Sequence, residues 1–317
     1  MSTTVPYLIG VDGGATKTTA LLSTMDGEII GIGRAGPSNY QTIGIEAASA
    51  ALNRALQDAF EQAGLPFGVP KAICLGLAGV DRPVDRALIQ DWIKETLPGT
   101  AATILNDAAL IPAAGTPDGW GVGLICGTGA IAYGRSPDGA TARADGWGNI
   151  MGDSGSGYAL GRAALRAVMA AFDGRGAQTV LSSLLLAHWD LSSATDLVQR
   201  IYVSRASPDE IASLAALVDQ AATADDSVAK DLVRDAGKEL ANTIAAVIER
   251  LNLPSPTPAA LAGGVLVHGV HTREALQSAA AARGLELDPV QIVARPADGA
   301  LRMARLFDLG PNEGNQQ

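Results

Sequence analysis

A chain that opens both of its halves in the same way has few folds available to it. Residues 7–34 read as three strands, Tyr7–Val11, Thr18–Ser23 and Glu28–Arg34, with Met25-Asp26-Gly27 as a turn. An Ala/Leu-rich helix follows from about Ile45 to Gly64, then the apolar run Ala72–Leu77, a helix near Val84–Thr96 and a strand ending "TILND". From Trp120 the pattern restarts. Strand Trp120–Cys126, the turn in "GTGAIAYG", strand Ala130–Gly134, the turn "SPDG" and a short strand near Thr141–Arg143 come in succession. A helical region from about Gly157 to Arg250, broken near Asp173–Gly176, leads to a short strand Pro258–Leu261. A helix around Thr272–Arg283 and a terminal helix Ala297–Leu309 complete the chain. The pattern predicts two copies of one β-β-β-α-β-α-β plan, with a helical insertion in the second. Helix–strand alternation requires crossovers, so the sheets are expected to be partly parallel and covered by helices. The expected lobes are 1–113 with 296–317, and 114–295.

Composition narrows the class. The chain has 317 residues, is 47% hydrophobic and 18% charged, and carries a formal charge of −10. That supports a large core and argues against a basic stripe for nucleic acid. No apolar run reaches the roughly 18 residues of a membrane span, and "MSTTVPYLIG" lacks a basic n-region and a long apolar stretch. Cys74 and Cys126 sit far apart in apolar runs, as buried residues in a reducing compartment would. A cytoplasmic protein is expected, acting on small molecules rather than nucleic acid or membrane. His188, His268 and His271 have no metal-ligand spacing, and no Gly-x-Ser-x-Gly elbow is present.

Chemistry concentrates in the turns. In "IGVDGGATKTTALL" (Ile9–Leu22), Gly13 and Gly14 suit a tight strand–turn–strand, while the Walker spacing is missing. Alone, the stretch is either a phosphate cradle or a plain hairpin turn. Its counterpart in the second half, "CGTGA", favours the cradle, with the two turns expected to face each other across a cleft. Glycine lets backbone N–H groups approach phosphate oxygens closely, and Thr16, Lys17 and Thr128 add side-chain donors. A third loop, "LAGGV" (Leu261–Val265), puts Gly263 and Gly264 after a strand and ahead of a helix, where a nucleotide can lie against bare backbone. Asp107 ends an apolar strand and either caps the helix of Ala108–Ala114 or works as a base. Asp12 reads as a turn-stabilising aspartate bonded to backbone N–H. Asp153 lies in "MGDSGS", which reads as a helix N-terminus with Asp or Ser as cap.

The triple "GVDGGATKT", "ICGTGA" and "LAGGV" resembles the two phosphate motifs and the adenosine motif of the actin/sugar kinase/Hsp70 ATPase superfamily. With "GPSNY" (Gly36–Tyr40), "LNDAAL" (Leu105–Leu110) and "DGWGNIMGDSGSGYALG" (Asp145–Gly161), the chain is similar to the N-acetylglucosamine kinase branch of the BadF/BadG/BcrA/BcrD ATPase family. The likeness spans nearly the whole chain and is weakest over Asp173–Asp209. It implies an α/β, two-lobed actin-like (ribonuclease H-like) fold. It also implies an ATP- and Mg²⁺-dependent kinase that phosphorylates the 6-hydroxyl of an amino sugar, often as a homodimer.

By this resemblance Asp107 is the catalytic base, and Asp12 and Asp107 serve the metal. Gly13, Gly14, Thr16, Lys17, Gly127, Thr128, Gly129, Gly263 and Gly264 serve ATP. Asn39, Asp107, Thr128, Gly146, Trp147 and Asp153 serve the sugar. Ala130 departs from relatives that carry Ser there. N-Acetylglucosamine is the expected substrate, with glucosamine and N-acetylmuramate as alternatives. The iron–sulfur activators of the same family need exposed cysteine thiolates, and a repressor of the related ROK type needs an N-terminal helix-turn-helix. With the first strand expected to begin by Tyr7, that helix-turn-helix is not expected here.

Overall fold

The computed structural model describes residues 6–308. The chain divides into two compact units: one runs to Gly119 and resumes at Arg295, and the other is Trp120–Ala294. The predicted helix end at Leu309 lies outside the described residues.

The first unit is built on β1 (Tyr7–Gly13), β2 (Thr18–Thr24), β3 (Ile29–Ala35), β4 (Ala72–Leu77) and β5 (Ala101–Asn106), in the order β3-β2-β1-β4-β5. Short turns make the first three strands antiparallel. Helices intervene before the next two, so β4 and β5 join in parallel. Those helices are α1 (Tyr40–Ile43) and α2 (Ile45–Gln62) before β4, and α3 (Pro83–Thr96) before β5. A 3₁₀ turn, Asp107–Ala109, then leads into α4 (Leu110–Gly115).

In α2 the buried positions Leu52, Ala55, Leu56, Ala59 and Phe60 recur at helical spacing. They share one core with Ile9, Val11, Leu22, Ile73 and Leu75 of the sheet and Ile89, Trp92 and Ile93 of α3. Glycines in β3 set how close α2 comes. A Cβ on Gly33 would stand 1.8 Å from the Ala55 carbonyl oxygen, and one on Gly31 would stand 2.0 Å from that of Ala59. Helix backbone thus lies directly on strand backbone.

The second unit repeats the plan. Strands β6 (Gly121–Cys126), β7 (Ala130–Arg135), β8 (Thr141–Asp145), β9 (Thr257–Ala262) and β10 (Leu287–Val293) are ordered β10-β9-β6-β7-β8. Read from the β8 edge, this is the first sheet's order and sense. Between β8 and β9 run α5 (Gly157–Phe172), α6 (Leu181–His188), α7 (Asp196–Val198), α8 (Pro208–Ser213), α9 (Ala215–Thr223) and α10 (Ser227–Leu251). A π-helical turn, Gln199–Val203, follows α7; α11 (Gly264–His268) and α12 (Val270–Ala282) follow β9. Finally α13 (Ala297–Asp308) returns to the first unit. Its Ala297 and Leu301 pack on Leu8, Leu21 and Ala72, and its Ala300 and Ala304 pack on Cys74 and Leu110. That covers the face of the first sheet that α2 and α3 leave open.

Two features differ from the sequence reading. Strand β10 was not foreseen, because Pro289 interrupts its run and it is an edge strand exposed at Asp288, Gln291 and Ile292. The long helical region is also more finely divided than one break at Asp173–Gly176. Ser207 and Glu210 form a capping box around Pro208, and Asp226 caps α10. The insertion has its own core, which includes Leu160, Val168, Leu185, Leu214, Val218 and Val233.

Gly33→Ala is expected to lower stability by roughly 1–3 kcal/mol, because the added methyl meets helix backbone that cannot swing away. Gly68→Ala meets its nearest atoms only at 3.9 Å and serves as the control. Thermal denaturation should show a clear drop for the first variant and little change for the second.

Candidate active-site residues

In the first unit the parallel strands finish in register: Gly13 lies opposite Leu77, and Leu77 opposite Asn106. The chain leaves the sheet there through Gly14, Ala78 and Asp107, so side chains from three separate segments meet at the carboxyl ends of the strands. That end of an open α/β sheet is where ligands bind.

The β1–β2 turn closes through a hydrogen bond from the Gly14 N–H to the Lys17 carbonyl, 3.0 Å. Thr16 and Lys17 stand exposed at its tip. Gly13 is wedged in place, since a Cβ there would lie 2.3 Å from Ser38 Oγ and 2.5 Å from Leu77 Cδ2. The "GPSNY" segment is tied to the same turn. Buried Thr18 donates to the Gly36 carbonyl at 2.8 Å, and the Ser38 N–H donates to the Gly14 carbonyl at 3.1 Å. Asn39 follows directly and caps α1, its Oδ1 accepting from the Gln41 N–H at 3.1 Å. Tyr40 donates to Asp85, which also holds Arg82, and these two partners keep the Asp85 carboxyl well below the usual carboxylate range. The network anchors the loop that carries Asn39.

Asp12 and Asp107 come together at this strand end. Burial, then the Asp107 charge, raises the Asp12 carboxyl to about 6, while Lys17 pulls it back. Asp107 is raised as well, by burial first and also by the Asp81 charge, against the Ala108 N–H. That N–H donates to both Asn106 Oδ1 and Asp107 Oδ1, each at 2.9 Å. Asn106 therefore shares the capping work, and Asp107 commits one oxygen to it. Sequence reasoning missed Asp81, which accepts from Asn106 Nδ2 at 2.9 Å; a lone aspartate in "GVDRP" carries no signal before the strands are paired. Among the described residues no group of three His, Cys, Asp or Glu side chains could hold a metal ion. Two carboxylates nevertheless suit Mg²⁺, which keeps several waters and is held by one or two carboxylates together with substrate phosphates.

The second unit carries the other predicted residues. Its turn Gly127-Thr128-Gly129 closes through Gly127 N–H to the Gly129 carbonyl, 2.9 Å. The turn is also held by α5, whose Gly157 and Tyr158 N–H groups donate to the Gly127 and Thr128 carbonyls at 2.8 and 3.2 Å. Ser156, not Asp153, caps α5. Asp153 instead accepts from the Ala130 N–H at 3.1 Å, and a Cβ on Gly129 would stand only 2.8 Å from that carboxylate. The Asp153 loop is held by Asp145, which accepts from the Asp153 and Ser154 N–H groups at 2.7 and 2.9 Å. Burial and the Asp145 charge both raise the Asp153 carboxyl. Asp145 opens the "DGWGN" stretch but was not singled out, because its role as a backbone anchor depends on the loop's path. Gly146 is left-handed at φ 73°, and Trp147 is 58% exposed with Arg143 stacked 4.6 Å from its ring.

Gly263 also sits at a strand end. Its φ is 89°, and a Cβ would lie 2.3 Å from the Cys126 carbonyl oxygen. Gly264 and His268 line a cavity of about 540 Å³ together with Gly127, Thr128 and Asp209, a size within the range of small-molecule pockets. A larger groove of about 770 Å³ between α10 and α12, lined by Arg234, Lys238, Glu239 and Arg283, holds none of the predicted residues. Cys74 and Cys126 are both buried, and burial pushes each thiol up to about 12, so neither offers a thiolate at neutral pH.

These strand-end turns are framed by comparison with known proteins. The profile of the BadF/BadG/BcrA/BcrD ATPase family matches residues 9–303, and the chain belongs to that family. An N-acetylmuramic acid/N-acetylglucosamine kinase of Clostridium acetobutylicum is 35% identical over 265 residues, 84% of this chain and 87% of that one. An N-acetyl-D-glucosamine kinase of Dictyostelium discoideum is 34% identical over 255 residues, 77% and 80% of the two chains. A crystal structure of a Chromobacterium violaceum protein assigned as an N-acetylglucosamine kinase superposes with a TM-score of 0.74 at 32% identity, over 94% of this chain and 98% of that one. The two units are thus two copies of the actin-like, ribonuclease H-like plan.

The raised carboxyl of Asp12 has a consequence for stability. Its folded pKa of about 6 exceeds the unfolded value of 3.8. The associated stability is therefore present in full below about pH 4 and lost as pH rises through about 6, with a cost on the order of 3 kcal/mol. Asp12→Asn should raise the melting temperature of metal-free protein by several degrees at pH 8, and this advantage should shrink towards pH 4. An equal melting temperature for the two proteins at pH 8 would show that Asp12 bears no such buried charge.

Proposed function

We propose that this protein transfers the γ-phosphoryl group of ATP to the 6-hydroxyl of an amino sugar, with N-acetylglucosamine as the substrate. The observation that carries the reading is the half-buried carboxylate pair Asp12 and Asp107 at the ends of two strands in one sheet, in a chain 34–35% identical to two curated amino-sugar kinases over most of its length. N-Acetylmuramate is the second reading, because the Clostridium relative is named for both sugars; glucosamine is the third.

Phosphoryl transfer needs in-line positioning, charge neutralisation and an acceptor for the hydroxyl proton. Asp107 is the proton acceptor. Its raised pKa brings it closer to the operating pH, where a general base works best. Asp12 holds Mg²⁺ together with Asp107, and the ion when bound neutralises charge on the phosphate oxygens. Gly13, Gly14, Thr16 and Lys17 present backbone and side-chain donors to the phosphates, and the turn Gly127-Thr128-Gly129 presents backbone N–H groups. Gly263 and Gly264 lie against the nucleoside. Asn39, Gly146, Trp147 and Asp153 receive the sugar, their amide, carboxylate and backbone groups matching its hydroxyls. The two compact units act as the two lobes of the kinase. A cytoplasmic homodimer belongs to the same proposal and rests on the family resemblance.

The test is ADP release with Mg²⁺-ATP against N-acetylglucosamine, N-acetylmuramate, glucosamine and glucose. N-Acetylglucosamine should stimulate release far above the others, whereas steady hydrolysis without any sugar response would defeat the kinase reading. Asp107→Asn should cut turnover by about 10²-fold or more, with a modest change in the Michaelis constant for the sugar. Near-normal turnover would remove Asp107 as the base.

A further inference from the structure

We infer that Asp209 reads the ribose hydroxyls of the nucleotide; this rests on the ATP-site reading above. Asp209 belongs to none of the motifs on which that reading stands. It lies in the first turn of α8, in the helical insertion, 81 residues from the Thr128 whose hydroxyl donates to its Oδ1 at 2.6 Å.

Three features of the cavity beside the Gly127–Gly129 turn lead there. Its lining includes two carboxylates, Asp209 and Asp219, with Ser213, His268 and Thr272 as further polar side chains, and among the described residues neither Lys nor Arg lines it. Such a cavity repels the phosphate chain and suits the neutral, hydroxyl-bearing part of the ligand. Asp219 is committed to the fold, because its Oδ1 accepts from the His271 and Thr272 backbone N–H groups at 3.0 and 3.3 Å and so fixes the start of α12. Asp209 is exposed and held by a side chain, not by backbone. A carboxylate has about four acceptor sites, and Thr128 engages one oxygen. The remaining capacity matches a pair of adjacent hydroxyl donors, the chemistry by which an acidic residue recognises ribose.

The bond also assigns a direction to Thr128. Its single hydroxyl proton goes to Asp209, so Thr128 presents lone pairs rather than a donor towards the cavity. Phosphate oxygens are left to the backbone N–H groups of the turn. Thr128 thereby orients Asp209, while Asp209 makes the contact with the ligand.

Calorimetric titration of the full chain with ADP, 2′-deoxy-ADP and 3′-deoxy-ADP, in Mg²⁺, tests this. The wild-type protein should bind ADP about ten-fold or more tightly than at least one deoxy analogue, as loss of hydrogen bonds to a charged group implies. In Asp209→Ala that preference should fall to within about two-fold, and Asp209→Glu should restore part of it. Thermal denaturation of each variant separates loss of discrimination from loss of folding, since a merely structural role would weaken all three ligands alike and leave their ratio intact. An unchanged ratio in Asp209→Ala, or no preference in the wild-type protein, would overturn the inference and leave the ATP site standing. No binding of ADP by the wild-type protein would remove both.

Discussion

Parallel pairing of β1, β4 and β5 is the constraint on which the rest of the first unit depends. Parallel strands run the same way, so their carboxyl ends gather at one edge of the sheet, and register decides which residues become neighbours there. Asp12 and Asp107 are 95 positions apart in the chain. Register alone places them at the same strand ends. The second unit repeats the arrangement with Cys126-Gly127 and Ala262-Gly263.

Glycine makes that edge usable. At Gly13, Gly129 and Gly263 a side chain would collide with Ser38, Asp153 or the Cys126 carbonyl. The missing Cβ lets acidic and hydroxyl side chains close in on the turns. The same chemistry recurs away from the site, where Gly31 and Gly33 let α2 rest on β3 backbone. Close approach of this kind gives up adaptability and gains fixed geometry, which positioning-dominated chemistry such as phosphoryl transfer needs.

The acidic groups are costly in this setting. Asp12, Asp107 and Asp153 all have carboxyls raised mainly by burial, so the folded chain tolerates charge where an apolar protein would have none. Such groups cluster where chemistry is done. Asp85 shows the contrast: it is more deeply buried, yet Arg82 and Tyr40 hold it ionised, and it serves to fix a loop. Both kinds are aspartates at or near the ends of regular elements, and their partners tell them apart.

The sequence by itself determined the duplication, the strand–turn–strand openings, the family, and the turns that carry Asp12, Thr128 and Gly263. Local periodicity and turn chemistry encode these, since each is a matter of a few neighbouring residues. It did not determine β10, whose Pro289 and exposed edge position break the usual strand pattern, nor the fine division of α5–α10, nor the contacts of Asp81, Asp145 and Asp209. Tertiary structure alone decided that Ser156 rather than Asp153 caps α5, that Asn106 shares the capping of Asp107's turn, and that α13 covers the first sheet. The physical reason is common to all three. A polar side chain has several local partners open to it, and a strand or helix several possible neighbours. Which of them is used depends on what long-range packing brings within hydrogen-bonding or van der Waals distance.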